Sequence, residues 1–408
     1  VGLGWVISNE SFFEPLTNVI QYLKVRGTWG QVGNSQISGR RFAYLATVTD
    51  SSSTSYTFGK NMDQNYGTTA IDEYAVDVTW EVADKTDIGV DMRLLNNKLN
   101  LQFDYFKESR EGIYLRRSSI PSYVGMINNP YGNIGKVENK GFELSVNYAN
   151  SWGGDWSLSL MGNYSFNRNK VLEDDSTVVY PWQNTIGNKV GQRFGLVALG
   201  LFESYGEIAA SPVQTGDTRP GDIKYKDING DGKIDEYDKV PIGWGSVPEI
   251  MYGFGFSVGW KNLSLTAMFQ GAAHVDAMLS GEGVLPFSQG SSRGNLLSNI
   301  TDRWTEENPR QNAFYPRLSI GNINMNYEES TWWLKDTDYL RLKNIELSYR
   351  LPDHWMKRIH LDNARIFIQG VNLLTFSSFK IWDVELGDGR GARYPNIASV
   401  SLGVNFNF

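Results

Sequence analysis

The residues whose types and spacing point most directly to chemistry run from Asp227 to Asp238: Asp227-Ile-Asn229-Gly-Asp231-Gly232-Lys233-Ile-Asp235-Glu-Tyr-Asp238. Side-chain oxygens stand at the first, third and fifth places of a twelve-residue loop, glycine at the sixth and a carboxylate at the last. Ca²⁺ requires about six to eight oxygens, so its ligands must lie on a tightly curled chain. Gly232 permits the sharp turn, Lys233 offers its main-chain carbonyl, and Asp235 can act through a water. Two features depart from the usual pattern. Asp238 reaches less far than glutamate would, and no helical periodicity flanks the loop, with Pro220-Gly221 before it and Pro241 after it. The spacing therefore predicts a structural Ca²⁺ held by Asp227, Asn229, Asp231, Lys233, Asp235 and Asp238, outside any EF-hand. The competing reading is an Asx-rich turn that needs no metal.

Little else in the chain suggests bond chemistry. His274, His354 and His360 have no partner at metal-ligand spacing and read as surface residues. There is no cysteine, which removes thiol nucleophiles and disulfides alike. No G-x-S-x-G, phosphate loop or dinucleotide fingerprint occurs. No catalytic residue is assigned and no enzyme is expected. Aromatic rings are dense between the regular segments, among them Trp304. Trp182, Trp244, Trp332, Trp333, Trp382 and Tyr394 are candidate platforms for sugar rings or peptide side chains. Their alternative role is to anchor long loops.

The elements that position these residues show a period of two. In the last segment Ala398, Val400, Leu402, Val404, Phe406 and Phe408 alternate with mostly small or polar residues. Trp156, Leu158, Leu160, Tyr164 and Phe166 alternate with Ser157, Ser159, Asn163, Ser165 and Asn167. Successive strand side chains point to opposite faces, so each segment has one continuous apolar face. Eleven strands are predicted, at 1–8, 22–32, 86–95, 98–110, 138–150, 155–167, 250–261, 263–274, 338–350, 363–376 and 397–408.

The connections alternate strictly between short and long. Short or moderate links at 9–21, 96–97, 150–154, 261–262 and 351–362 separate long ones at 33–85, 111–137, 168–249, 275–337 and 377–396. A soluble sandwich has no reason for this parity. A transmembrane antiparallel β-barrel has one: short periplasmic turns and long extracellular loops. The last strand then descends to the periplasm, and the calcium-type loop lies in the long extracellular connection. Trp156, Trp260, Phe406 and Phe408 fit an interfacial aromatic girdle. An odd strand count suggests part of a barrel. Eleven would be the C-terminal half of a barrel of about 22 strands, with the remainder and any plug before Val1.

Composition sets further limits. No stretch of about 18 apolar residues exists, which excludes a membrane-spanning helix. A mean hydropathy of -0.36 and a net charge of -7 leave a barrel open and argue against nucleic acid as a partner. The opening residues Val1 to Trp5 carry no signal-peptide pattern and read as the middle of a strand.

Several segments resemble SusC/RagA-type TonB-dependent transporters of Bacteroidota. These are Tyr22 to Asn34 (YLKVRGTWGQVGN), Trp80 to Val82 with Thr86 to Asp91, Gly135 to Leu144 (GKVENKGFEL), Pro220 to Asp235 with Ile242-Gly243, Tyr339 to Tyr349, and the terminal Phe408. The resemblance covers nearly the whole chain in order. It implies an outer-membrane importer with an N-terminal plug, energised through TonB-ExbB-ExbD. A SusD-like lipoprotein would form a lid over the mouth. The cargo it implies is oligosaccharide first and peptide second. Asn344, Glu346, Ser348, Asn405 and Asn407 would line part of the lumen. The rival readings are a passive porin-like channel, a surface glycan hydrolase or lectin of all-β fold, and an adhesin.

Overall fold

The computed structural model describes residues 1–35, 42–62, 64–124, 126, 128–288, 296–358 and 361–407. His360 and Phe408 lie outside them. Eleven strands form one antiparallel sheet, each paired with its neighbours in chain order. They are β1 (Gly2–Val6), β2 (Ile20–Asn34), β3 (Glu81–Leu94), β4 (Leu99–Arg116), β5 (Tyr131–Trp152), β6 (Trp156–Glu173), β7 (Ile250–Trp260), β8 (Leu263–Ala273), β9 (Tyr339–Arg350), β10 (Asn363–Ser377) and β11 (Ser399–Asn407). All eleven predicted strands are present, and the short and long connections fall where the parity places them. Asn96 and Asn97 take positive φ (59° and 62°) in the β3–β4 turn, and Lys261 does so (52°) between β7 and β8.

One face of the sheet is apolar. Trp156 pairs with Trp260, Trp260 with Leu263, Leu263 with Tyr349, and Tyr349 with Ile366. At the other end Tyr105 pairs with Phe142, Phe142 with Phe166, and Phe166 with Ile250. The two aromatic rows are ten residues apart along β6. At the rise of a tilted strand this gives a band about 25 Å tall, the apolar height of an outer-membrane barrel. Rings stack within it, Phe142 on Tyr164 at 5.7 Å and Phe254 on Phe269 at 4.9 Å. Beyond the upper row the same face becomes charged, with Lys107 paired to Lys140 and Lys140 to Arg168.

This change explains the main discrepancy in strand length. β5 runs for 22 residues, well past the predicted start at 138. Only about 10 residues are needed to cross the bilayer. Above the apolar margin the backbone ladder continues, but the side chains no longer alternate between greasy and polar.

The opposite face is polar. Arg26 on β2 donates to Asp87 (3.0 Å), lies 3.5 Å from Asp91, and pairs with Asp104 on β4. The Arg26–Asp104 pair reaches across β3 directly over Gly89, which is in register with both. A Cβ at Gly89 would stand 2.4 Å from the Arg26 guanidinium carbon, so glycine there makes the bridge possible. Asn344, Glu346 and Ser348 belong to this face, with Glu346 accepting from Arg365 at 2.7 Å. Asn405 is paired opposite Arg365.

The buried hydrophobic core lies outside the sheet, among the long loops, around Leu196, Ile223, Tyr225, Met278, Trp304, Tyr315 and Trp333. No described helix is long and apolar enough to cross a membrane.

A matched pair of substitutions separates the two faces. Leu160→Arg places a charge near the middle of the apolar band and should cost about 2–4 kcal/mol. Ser159→Arg, one residue away on the polar face, should cost little. Denaturant unfolding of the receptor in lipid vesicles, compared for the two variants, measures the difference.

Candidate loop dome and lumen wall

Three long connections, 174–249, 274–338 and 378–398, fold into one body above the sheet. Their shared apolar core supplies the cohesion, and a few buried ions fix the register. Arg193 donates to Asp276 (2.9 Å) and to both oxygens of Asp388 (2.7 and 2.8 Å), so one guanidinium joins all three connections. Asp222 accepts from Arg317 through two bonds of 2.9 Å and from Asn324 and Asn326. Arg341, buried on the polar face of β9, donates twice to Asp383 at 2.9 Å and pairs with Glu385. That contact fastens the last loop to the lumen wall. Breaking such a pair costs far more than losing a surface ion pair, because the partner charge is left buried.

A fourth cluster sits at the rim. Glu249 precedes β7 and His274 follows β8, so the hairpin register brings them together at 3.2 Å. Arg168 grips the Glu249 carboxylate with bonds of 2.7 to 3.2 Å, and Lys189 lies 3.5 Å away. Burial opposes ionisation of Glu249, but Arg168, His274 and Lys189 outweigh it and hold the carboxyl below the usual range. Trp244 stacks on His274 at 4.0 Å, its planes 4° apart. Asp276, which accepts from the Trp244 and Gly245 amides and from Arg193, is pushed the other way by its burial. The sequence reading set His274 aside. The signal available for it was the position of Glu249 and His274 at the two open ends of one hairpin.

The six candidate aromatic platforms have different fates. Trp333 is 1% exposed and its Nε1 donates to the Asn326 carbonyl, so it is a core residue rather than a platform. Trp304 is buried in the same core. Trp332 donates to the Phe314 carbonyl, and both Trp332 and Trp382 pack against the core. Trp182 donates to the Tyr237 carbonyl and stacks on Tyr180 at 4.6 Å, tying its segment to the calcium-type loop. Trp244 is part-exposed but has Lys189 and Arg168 over its ring at 5.5 and 5.9 Å, and Tyr394 is 85% exposed. The structure does not gather the six into one surface.

The calcium-type loop is closed by its own hydrogen bonds. Asp227 accepts from the Gly230 and Gly232 amides, Asn229 from Asp231, and Asp231 from Lys233. Gly232 has φ 82°. Asp238 is fully buried and accepts from the amides of Ile228, Asn229 and Asp235, clasping the two ends of the loop together. Asp235 caps the turn that carries Asp238. Lys233 lies in a short parallel pairing with Val213. Among the described residues, no three His, Asp or Glu side chains converge on one point in the manner of a metal site. The curl required by the spacing is present.

Comparison with known proteins gives the lineage. Residues 1–373 match the family described as TonB dependent receptor-like, beta-barrel. TonB-dependent receptor P3 of Formosa agariphila is 28% identical over 437 residues, covering 100% of this chain and 41% of the relative. TonB-dependent receptor SusC of Bacteroides thetaiotaomicron is 26% identical over 426 residues, covering 100% and 40%. The RagAB peptide importer in its open-open state superposes with a TM-score of 0.73 at 21% identity, covering 100% of this chain and 42% of that one. The chain thus spans about two fifths of the length of the relatives it matches. The apolar band, the polar inner face, the parity of the loops and this match agree: the chain belongs to the TonB-dependent receptor-like β-barrel family of the outer membrane.

Proposed function

We propose that this chain forms part of the wall and the extracellular loops of an active nutrient importer. The observation that carries the reading is the combination of family membership with a rigid loop dome fastened to the lumen wall through Arg341. Cargo entering from outside meets fixed loops, and the polar face beneath them offers an aqueous route. Oligosaccharides are the first cargo class and peptides the second. One relative is named SusC, and the similar RagAB is a peptide importer. Energy would come through TonB-ExbB-ExbD acting on a plug outside these residues, and a SusD-like lipoprotein would cover the mouth. The relatives are named as receptors and importers, which supports a barrel that conducts rather than cleaves.

Deleting the gene should abolish uptake of one defined class of glycan or peptide. A protonophore should abolish the same uptake in the parent strain. Uptake that persists at full rate with the proton gradient collapsed would favour the passive channel.

The calcium-type loop belongs to the same reading as a stabiliser of the dome. A Ca²⁺ there would use the remaining lone pairs of Asp227, Asn229 and Asp231 and the Lys233 carbonyl, with Asp235 acting through a water and Asp238 keeping the loop closed. Binding would add about 2.7 kcal/mol at a hundredfold excess over Kd. Thermal unfolding of the receptor should shift upward with Ca²⁺, and Asp227→Asn with Asp231→Asn should remove the shift. An unchanged midpoint would leave the loop a metal-free Asx turn.

A further inference from the structure

Between the second and third loops of the dome lies a cleft of about 590 Å³. Its lining includes Lys335 and Lys380, the apolar side chains of Phe314, Phe379 and Ile381, and Ser378; Asp336 also lines it and pairs with neither lysine. We propose that this cleft binds the phosphorylated headgroup of an outer-leaflet lipid.

Three observations carry the proposal. The first is position. Leu340 and Phe376 are paired across β9 and β10 at the upper end of the lipid-facing surface. Phe376 stands ten residues above Ile366, which belongs to the lower row, and so lies at the upper margin of the band. Phe376 and its neighbour Leu374 are both more than half exposed, as lipid-facing residues should be. Ser378 follows two residues later, just past the end of β10, and its hydroxyl donates to the Asp336 carbonyl at 3.3 Å. The cleft therefore begins where the hydrocarbon ends, at headgroup depth, and adjoins the surface that acyl chains cover.

The second is charge. Lys335 is largely withdrawn from solvent, and its ammonium lies 5.3 Å from the centre of the Phe314 ring. It donates to the Trp332 carbonyl at 2.7 Å. Burial alone pulls its pKa below the ordinary lysine value. Among the described residues no carboxylate is ion-paired with Lys335 or Lys380. Elsewhere in the dome Arg193, Arg317 and Arg341 each hold a buried carboxylate. A withdrawn ammonium without a counter-ion is an open electrostatic position, and a phosphate would fill it with charge-assisted hydrogen bonds.

The third is the mixed lining. Rings and an isoleucine beside two amines suit an amphiphile better than a free inorganic anion. A soluble sugar phosphate would satisfy the amines but leave the apolar wall wet. An outer-leaflet lipid satisfies both, and its chains continue down over Leu374 and Phe376.

The test uses the intact receptor reconstituted in phosphatidylcholine nanodiscs. Bound lipid is counted by native mass spectrometry after adding diphosphorylated lipid A, the same lipid with its phosphates removed, or glucose 1-phosphate. The wild type should retain diphosphorylated lipid A and bind the other two weakly. Lys335→Gln with Lys380→Gln should weaken retention on the order of tenfold. The thermal midpoint, measured in parallel, should match the wild type and so separate lost lipid contacts from lost folding. A variant that retains diphosphorylated lipid A as well as the wild type does would overturn the proposal. Equal binding of the dephosphorylated lipid or of glucose 1-phosphate would overturn it as well. If the double variant misfolds, Lys380→Gln alone, at an exposed position, gives the same comparison.

Discussion

In hydrocarbon an unpaired amide or carbonyl costs several kcal/mol, and no water is present to relieve it. Every other feature of this chain follows from that constraint. The backbone must pair strand to strand, and pairing at a fixed period of two sends alternate side chains to lipid and to water. The lipid side becomes a band bounded by Trp156 and Trp260 below and by Phe142 and Phe166 above. The water side can then carry ions. Arg26 and its aspartates are stable there because Gly89 leaves the space between them empty.

Once the strands leave the bilayer the constraint relaxes, and ordinary globular packing takes over. The loops acquire a core of their own and several buried charges that are paired. Arg193, Asp222 and Arg341 place three separate connections in one arrangement over the mouth. A dome built this way presents a fixed outer surface. It is also tied to the wall through β9, where Arg341 holds Asp383 and Glu385.

The strands were legible because the period of a strand is a local property. Leu158, Leu160 and Phe166 need no tertiary knowledge to reveal a face. Strand ends above the membrane were not legible, since Lys136, Glu138 and Lys140 continue a ladder that hydropathy no longer marks. Which of the loop aromatics anchor the dome was not legible for a related reason. Whether Trp333 faces solvent depends on Tyr315 and Phe314, which are distant enough in sequence that no pattern announces the contact. The spacing from Asp227 to Asp238 identified a tight curl correctly as a shape. It could not separate ion binding from Asx hydrogen bonding, because both draw on the same oxygens at the same positions. The rim pair Glu249 and His274 was recoverable from hairpin register alone. It was passed over because a lone histidine was weighed without its cross-strand neighbour.

The central claim is that one face of this sheet meets lipid and the other meets water, over a span set by two aromatic rows. The chain contains no cysteine, so single cysteines can be placed one by one from 156 to 166 on β6 of the receptor in vesicles. Labelling with a water-soluble maleimide should then alternate strictly. Positions 157, 159, 161, 163 and 165 should react, while their neighbours are protected and quenched instead by brominated lipid when carrying a fluorophore. Uniform reactivity along the strand, or a repeat other than two, would contradict the account.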